Sequence, residues 1–263
     1  MLATALAALA LAAPGDQAYS VAMSIARDGT RPAGGRLERK AHRRIKKRFE
    51  NAGLRVRVQR FDTAHGPSRN VIGVRDGERP CVRVLMAHTD SMPQGPGALD
   101  NASGVGLLAG LAPRLEKIGP PCTVWLVATG AEEGEYTGSP DHLGALALRR
   151  IVPRRRLRYA LSLDEVGRGA EFRLRSAVSE PRRRVERELL AAAREQDVEL
   201  DWLRDDGWGH SDHREFQMAG MRGVKLGVLE NPCRHTACDT PDRLQPRSFR
   251  KVQRVVEAVL RNG

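Results

Sequence analysis

Aromatic residues are scarce: five Phe, three Tyr and three Trp make up 4% of the 263 residues. A protein that holds single-stranded nucleic acid interleaves aromatic rings with its cations so that bases can stack. The formal charge of +12, from 44 basic and 32 acidic residues, therefore reads as a solvated basic surface, and no nucleic-acid partner is expected. Its arginine runs, Arg154-Arg155-Arg156 and Arg182-Arg183-Arg184, flank expected strands and helices. Long apolar runs are also missing. Met1 to Ala13 is rich in Ala and Leu but too short for a membrane span, which needs about 20 residues. Ala10 and Ala12 are placed as at a signal-peptidase site, although no Lys or Arg precedes them, so residues 1–13 are read as a signal-like segment. No repeat, linker or composition break divides the remainder.

Cysteine is sparse too. Four cysteines allow three pairings. The favoured one joins Cys81 with Cys122 and Cys233 with Cys238, which implies an oxidising, extracytoplasmic compartment. Cys81 and Cys122 each open an apolar strand-like run, so free buried thiols stay open for that pair.

What is present is a regular alternation of strand and helix. Asp16 to Ala26 reads as a helix, and Leu37, Ala41, Ile45 and Phe49 mark a second by their fourfold spacing. Leu54 to Phe61 and Asn70 to Val74 read as an edge hairpin joined around Gly66-Pro67. Strands at Val82–Ala87, Thr123–Ala128, Leu157–Leu163 and Gly223–Leu229 then alternate with helices at Ala102–Ile118, Pro140–Leu148, Arg183–Glu195 and Ser211–Met218. Asp212 and Glu215 are spaced as a capping box for the last of these. Phe172–Leu174 and Val198–Leu203 are further short strands, and Phe249–Leu260 is the closing helix. Such alternation implies a single-domain, three-layer α/β/α fold with a mostly parallel, mixed central sheet.

The loops after the strands carry the chemistry. His88 and Asp90 end one strand, and Asp100 lies at the entry of the helix that follows. Glu132 and Glu133 sit in a glycine-rich turn after the next, Asp164 follows the third, and His235 follows the last. In α/β sheets these loops share one edge, where ligands bind. Taken singly, a strand-end His is more often a satisfied polar residue, and Asp100 or Asn101 is a good helix cap. Together, His88, Asp100, Glu133, Asp164 and His235 offer two imidazoles and three carboxylates, a donor set suited to zinc. Five donors exceed one tetrahedral ion. With Asp100 bridging, two zinc ions each receive a His, a carboxylate and one Asp100 oxygen, and share an activated water. Glu132, left over, is placed as general base and acid.

In these motifs the chain resembles the co-catalytic di-zinc aminopeptidases of the bacterial leucyl and Streptomyces type, with the phosphorylase/hydrolase-like fold. The matching segments are His88-Thr-Asp90, Asp100-Asn101-Ala-Ser103-Gly104, Gly130-Ala-Glu132-Glu133-Gly134, Asp164 in Leu-Asp-Glu-Val-Gly, Ser211-Asp212-His213 and His235-Thr-Ala-Cys-Asp239-Thr, spanning nearly the whole chain. The resemblance implies a zinc peptidase domain over residues 14–263 that acts on peptides with a free N-terminus. It puts His88 and Asp164 on one zinc, Glu133 and His235 on the other, Asp100 between them, Glu132 as base and Asp90 orienting His88. It also implies a cis peptide after Asp100. Two positions depart from the pattern: Arg234 stands where a Tyr is usual, and His210 where an Arg is frequent. Both are candidates for contacting substrate or the oxyanion. Competing readings are a related zinc-dependent glutaminyl cyclase, a catalytically inactive binding domain, against which the full ligand set weighs, and a nucleic-acid binder suggested by charge. Sequence leaves the preferred N-terminal residue and the oligomeric state open.

Overall fold

The computed structural model describes residues 15–138, 140–179 and 184–262, so the signal-like segment and the Arg182-Arg183 pair lie outside the described residues. Eight strands form one sheet: β1 (Arg55–Thr63), β2 (Gly66–Arg75), β3 (Arg79–His88), β4 (Cys122–Thr129), β5 (Leu157–Leu163), β6 (Phe172–Ser176), β7 (Leu200–Arg204) and β8 (Gly223–Val228). Their spatial order is β1-β2-β4-β3-β5-β8-β6-β7. The central strands β4, β3, β5 and β8 are parallel, while β2 joins β4, and β6 joins β8, antiparallel.

The helices are α1 (Asp16–Arg27), α2 (Arg36–Asn51), α3 (Ser103–Leu111), α4 (Leu115–Ile118), α5 (Gly134–Thr137), α6 (Leu143–Arg149), α7 (Arg184–Glu195), α8 (His213–Met218) and α9 (Pro246–Arg261). Central strands are apolar on both faces because both faces are covered. On β4, Val124, Leu126 and Ala128 meet the layer of α1, α2, α3, α7 and α9. Trp125 and Val127 turn the other way, toward Ala145 of α6 and Phe216 of α8. Three layers result. Within the first, α1 and α3 approach closely enough that a Cβ on Gly106 would stand 2.5 Å from the Ala18 carbonyl oxygen.

Some local expectations are corrected. The hairpin turn is Ala64-His65, since Thr63 pairs with Gly66, and Gly66-Pro67 already belongs to β2. The helix expected over Ala102–Ile118 is interrupted by a tight turn at Ala112–Arg114, where Pro113 supplies no N–H. The helix expected from Pro140 starts at Leu143, and α5 was not foreseen. Asp212 does not cap α8: its backbone is already helical, and its Oδ2 instead accepts the Thr129 hydroxyl at 2.6 Å. Arg83, inside β3, is fully buried and donates to the carbonyls of Val259 and Leu260 at 3.0 and 2.9 Å, tying the end of α9 to the sheet.

Both favoured disulfides are present, Cys81–Cys122 and Cys233–Cys238. The first closes a loop of 41 residues between the leading ends of β3 and β4, remote from the edge described below. Closing such a loop restricts the unfolded chain by about 2–4 kcal/mol. The double variant C81S/C122S should lose stability of that order in urea unfolding while the folded fraction keeps its activity.

Candidate metal centre

The expected metal ligands and Glu132 sit in or beside the loops at the carboxyl ends of the central strands. His88 is the last residue of β3, Asp164 follows β5 directly, and Glu132 and Glu133 follow β4 after the two residues Gly130-Ala131. His235 lies in the loop after β8 that the Cys233–Cys238 bridge closes. Asp100 stands in a wide turn over Ala98–Ala102 that leads into α3, and the Asp100–Asn101 peptide is cis. Asn101 fixes this entry. Its Oδ1 accepts the Gly104 N–H at 2.9 Å, and its Nδ2 donates to the Leu163 carbonyl at 3.0 Å. Gly104 is required there, because a Cβ would fall 2.0 Å from that same carbonyl oxygen.

All five expected ligands converge. His88 Nε2 lies 3.1 Å from Asp100 Oδ1 and 3.5 Å from Asp164 Oδ1. His235 Nε2 lies 3.4 Å from Asp100 Oδ2 and 3.0 Å from Glu133 Oε2. Besides a group of His88, Glu132 and Glu133, two three-donor groups follow, His88/Asp100/Asp164 and Asp100/Glu133/His235, the donor atoms within each group lying inside 4.8 Å of one another. These two share Asp100, one oxygen to each side. Glu132 is buried beside them, its Oε2 4.0 Å from His88 Nε2.

These residues fit a cation. His88 Nε2, Glu133 Oε1, Asp164 Oδ1 and His235 Nε2 are buried without hydrogen-bond partners. An unsatisfied buried polar atom costs about 1–3 kcal/mol. Several of them aimed at one place is an arrangement that zinc would satisfy, since each is a donor of electron pairs.

Protons and fixed cations otherwise carry the charge. Burial disfavours a charged His88, yet Glu132, Asp100 and Asp164 around it hold its pKa well above the ordinary value. Interaction with Asp100 and Glu133 pushes His235 up to about 11. Burial raises Glu132 well above the usual carboxylate range and, with the nearby charge of Asp100, takes Glu133 to about 7. Asp164 goes the other way. Burial opposes its charge, but Lys225, with Nζ 2.8 Å from its Oδ2, and His88 hold its pKa far down.

The remaining expected residues divide. Asp90 is fully buried, but its Oδ1 is 3.7 Å from His88 Nδ1, beyond hydrogen-bond range. Its other oxygen accepts the N–H groups of Glu132 and Glu133 at 2.9 and 3.1 Å, so the contact it makes is with the turn carrying both glutamates. Arg234 is half-exposed and turns inward, Nε 3.6 Å from Asp100 Oδ2. His210 is exposed at the rim, bordering a cleft with Glu132, His235 and Arg234.

Sequence reasoning missed three residues. Lys225 is a cation inside an otherwise apolar strand, a visible signal. His142, in a left-handed backbone conformation, places Nε2 3.5 Å from Glu132 Oε1 and Nδ1 3.6 Å from Glu215 Oε1, and no local pattern announces it. Glu135 Oε2 lies 3.2 Å from His235 Nδ1, on the side of the ring away from the cluster donors.

Comparison with known proteins places this geometry among relatives. Residues 70–260 match the sequence model of Peptidase family M28. Aminopeptidase YwaD of Bacillus subtilis (strain 168) is 28% identical over 161 residues, 59% of this chain. The matched region spans 34% of that relative's own length. BSAP, a zinc aminopeptidase from Bacillus subtilis, superposes with a TM-score of 0.82 at 17% identity, covering 93% of each chain. A Bacteroides thetaiotaomicron glutaminyl cyclase superposes equally well, TM-score 0.82 at 22% identity, covering 95% of this chain and 98% of that one. At such identities the superpositions show a shared fold.

Zinc must meet neutral imidazoles, whereas without it the neighbouring carboxylates raise the proton affinity of both His88 and His235. Loading should therefore release protons, and affinity should rise with pH. Calorimetric zinc titration of the metal-free protein in buffers of differing ionisation enthalpy checks this: a positive proton release near pH 7 is expected, and none would contradict the raised proton affinity.

Proposed function

Because this chain belongs to Peptidase family M28, we propose that it is a zinc-dependent aminopeptidase, an exopeptidase that removes N-terminal residues from peptides. The observation that carries the reading is the pair of three-donor groups sharing Asp100, with Glu132 beside them and outside both. His88, Asp100 and Asp164 would hold one zinc, and Asp100, Glu133 and His235 a second. Zinc at these positions supplies Lewis-acid charge, which acidifies water and polarises the scissile carbonyl.

The other steps belong to the chain. Glu132 takes the proton of the attacking water at its carboxylate and delivers it to the leaving amine. Burial supports this, because it raises the affinity of Glu132 for a proton toward the working pH. Asp90 holds the Glu132–Glu133 backbone, and His142 stands against the far oxygen of Glu132. Arg234, already facing Asp100 and anchored between Cys233 and His235, is placed to stabilise the developing negative oxygen of the substrate. A guanidinium offers several donors and a permanent charge for that task. The two disulfides support an extracytoplasmic setting.

E132Q should retain its zinc by elemental analysis and lose about 10²–10⁴-fold in kcat on aminoacyl arylamides. R234A, with metal content unchanged, should lose about 10²–10³-fold in kcat. A drop confined to KM would remove Arg234 from the oxyanion role. A second reading, glutaminyl cyclase, draws on the equally good superposition. Peptides with N-terminal Gln separate the two by mass spectrometry: hydrolysis frees glutamine, while cyclisation leaves the peptide shorter by ammonia alone.

A further inference from the structure

β6 and β8 run antiparallel with Arg175 directly opposite Lys225. Cations facing each other on neighbouring strands repel unless each has its own counter-charge. Lys225 has two, lying 2.8 Å from Asp164 Oδ2 and 3.3 Å from Glu165 Oε2. Among the described residues Arg175 has no ion pair of its own. Asp205 feels its charge without forming an ion pair with it, and Asp205 Oδ2 instead meets His213 Nε2 at 2.9 Å and Gln217 Nε2 at 3.3 Å.

Arg175 lines a cleft of about 210 Å³ together with Glu165, Asp205, Asp206, His210, Lys225 and Arg234. Glu165 is committed to Lys225 and to Asn231, whose Nδ2 donates to it at 2.9 Å, and Asp206 is exposed. The uncommitted donors of the cleft are therefore Arg175 and His210, with Arg234 at the boundary. His210 and Arg234 also border the neighbouring cleft that contains Glu132, Glu133 and His235, so the two clefts meet at the metal centre. A volume below the roughly 300–1,000 Å³ of drug-sized pockets suits one side chain or one chain end.

We infer that this cleft selects substrates carrying a carboxylate, bound by the Arg175 guanidinium with His210 as second donor. The reaction it serves rests on the exopeptidase reading; the binding does not. The carboxylate has two sources, the side chain of an N-terminal Glu or Asp, or the free C-terminus of a dipeptide.

Two matched pairs test it on zinc-loaded enzyme: glutamyl against glutaminyl arylamide, and Leu-Gly against its C-terminal amide. One pair should favour the carboxylate by about tenfold or more in kcat/KM, and which pair does so identifies the source. In R175Q that ratio should fall toward one, chiefly through KM, and R175K should restore part of it. Ratios near one for both pairs in the natural enzyme, or a preference unchanged in R175Q, would overturn the inference. If neither pair is hydrolysed, the exopeptidase reading fails and calorimetry decides the cleft. The probes are then L-glutamate against L-glutamine and Leu-Gly against its amide. Tighter binding of a carboxylate form that is lost in R175Q upholds it, and equal binding overturns it.

Discussion

Mutual repulsion among buried carboxylates governs this molecule. Asp90, Asp100, Glu132, Glu133, Asp164 and Asp212 are all buried at the carboxyl edge of the sheet. Acids at such density cannot all ionise in a poorly hydrated space without cations among them. Much of the surrounding architecture meets that requirement. Lys225 crosses from β8 to Asp164. His88 and His235 stand between pairs of acids. Arg31, entirely buried behind the cluster, gives its donors to the carbonyls of Thr89 and Gly97, both at 2.9 Å, and adds its charge to the field felt by Asp90.

Carboxylates here do two different jobs. Asp239 binds backbone, its two oxygens accepting the N–H groups of Leu99 and Asp100 at 2.8 and 2.9 Å, and Asp90 binds the Glu132–Glu133 turn in the same way. Each is thereby spent on holding a loop in place. Asp100, Glu133 and Asp164 keep oxygens free toward the centre, and the backbone clamps fix where those oxygens point. A donor set held this rigidly is what a metal centre needs, because its geometry then precedes the ion.

The parts of the site that were legible in sequence share one cause. His88, Glu133, Asp164 and His235 each follow an apolar strand, and parallel strands deliver their following loops to one edge whatever their order in space. The fold was legible for the same reason. What failed was local chemistry settled by distant partners. Asp212 and Glu215 have the spacing of a capping box, but helical dihedrals at Asp212 turn its carboxylate toward Thr129, 83 residues away. Pro113 lies within a continuous apolar pattern that hid the break. Arg83 looks like one more strand residue until α9 brings its terminal carbonyls alongside. His142 and Arg175 carry no motif, because their settings depend on how α6 and β6 pack.

The placement of donors along the chain has a consequence for biogenesis. Neither of the two three-donor groups that share Asp100 is local: one needs His88 and Asp164, the other Glu133 and His235. During synthesis, no segment ending before β5 holds either group, and the second is complete only when the loop after β8 has emerged. A chain that ends before β5 already carries the donors of one group, His88, Glu132 and Glu133, but not yet either of the two groups that share Asp100. The pair of groups that shares Asp100 is therefore assembled late, when the finished sheet brings its loops to one edge.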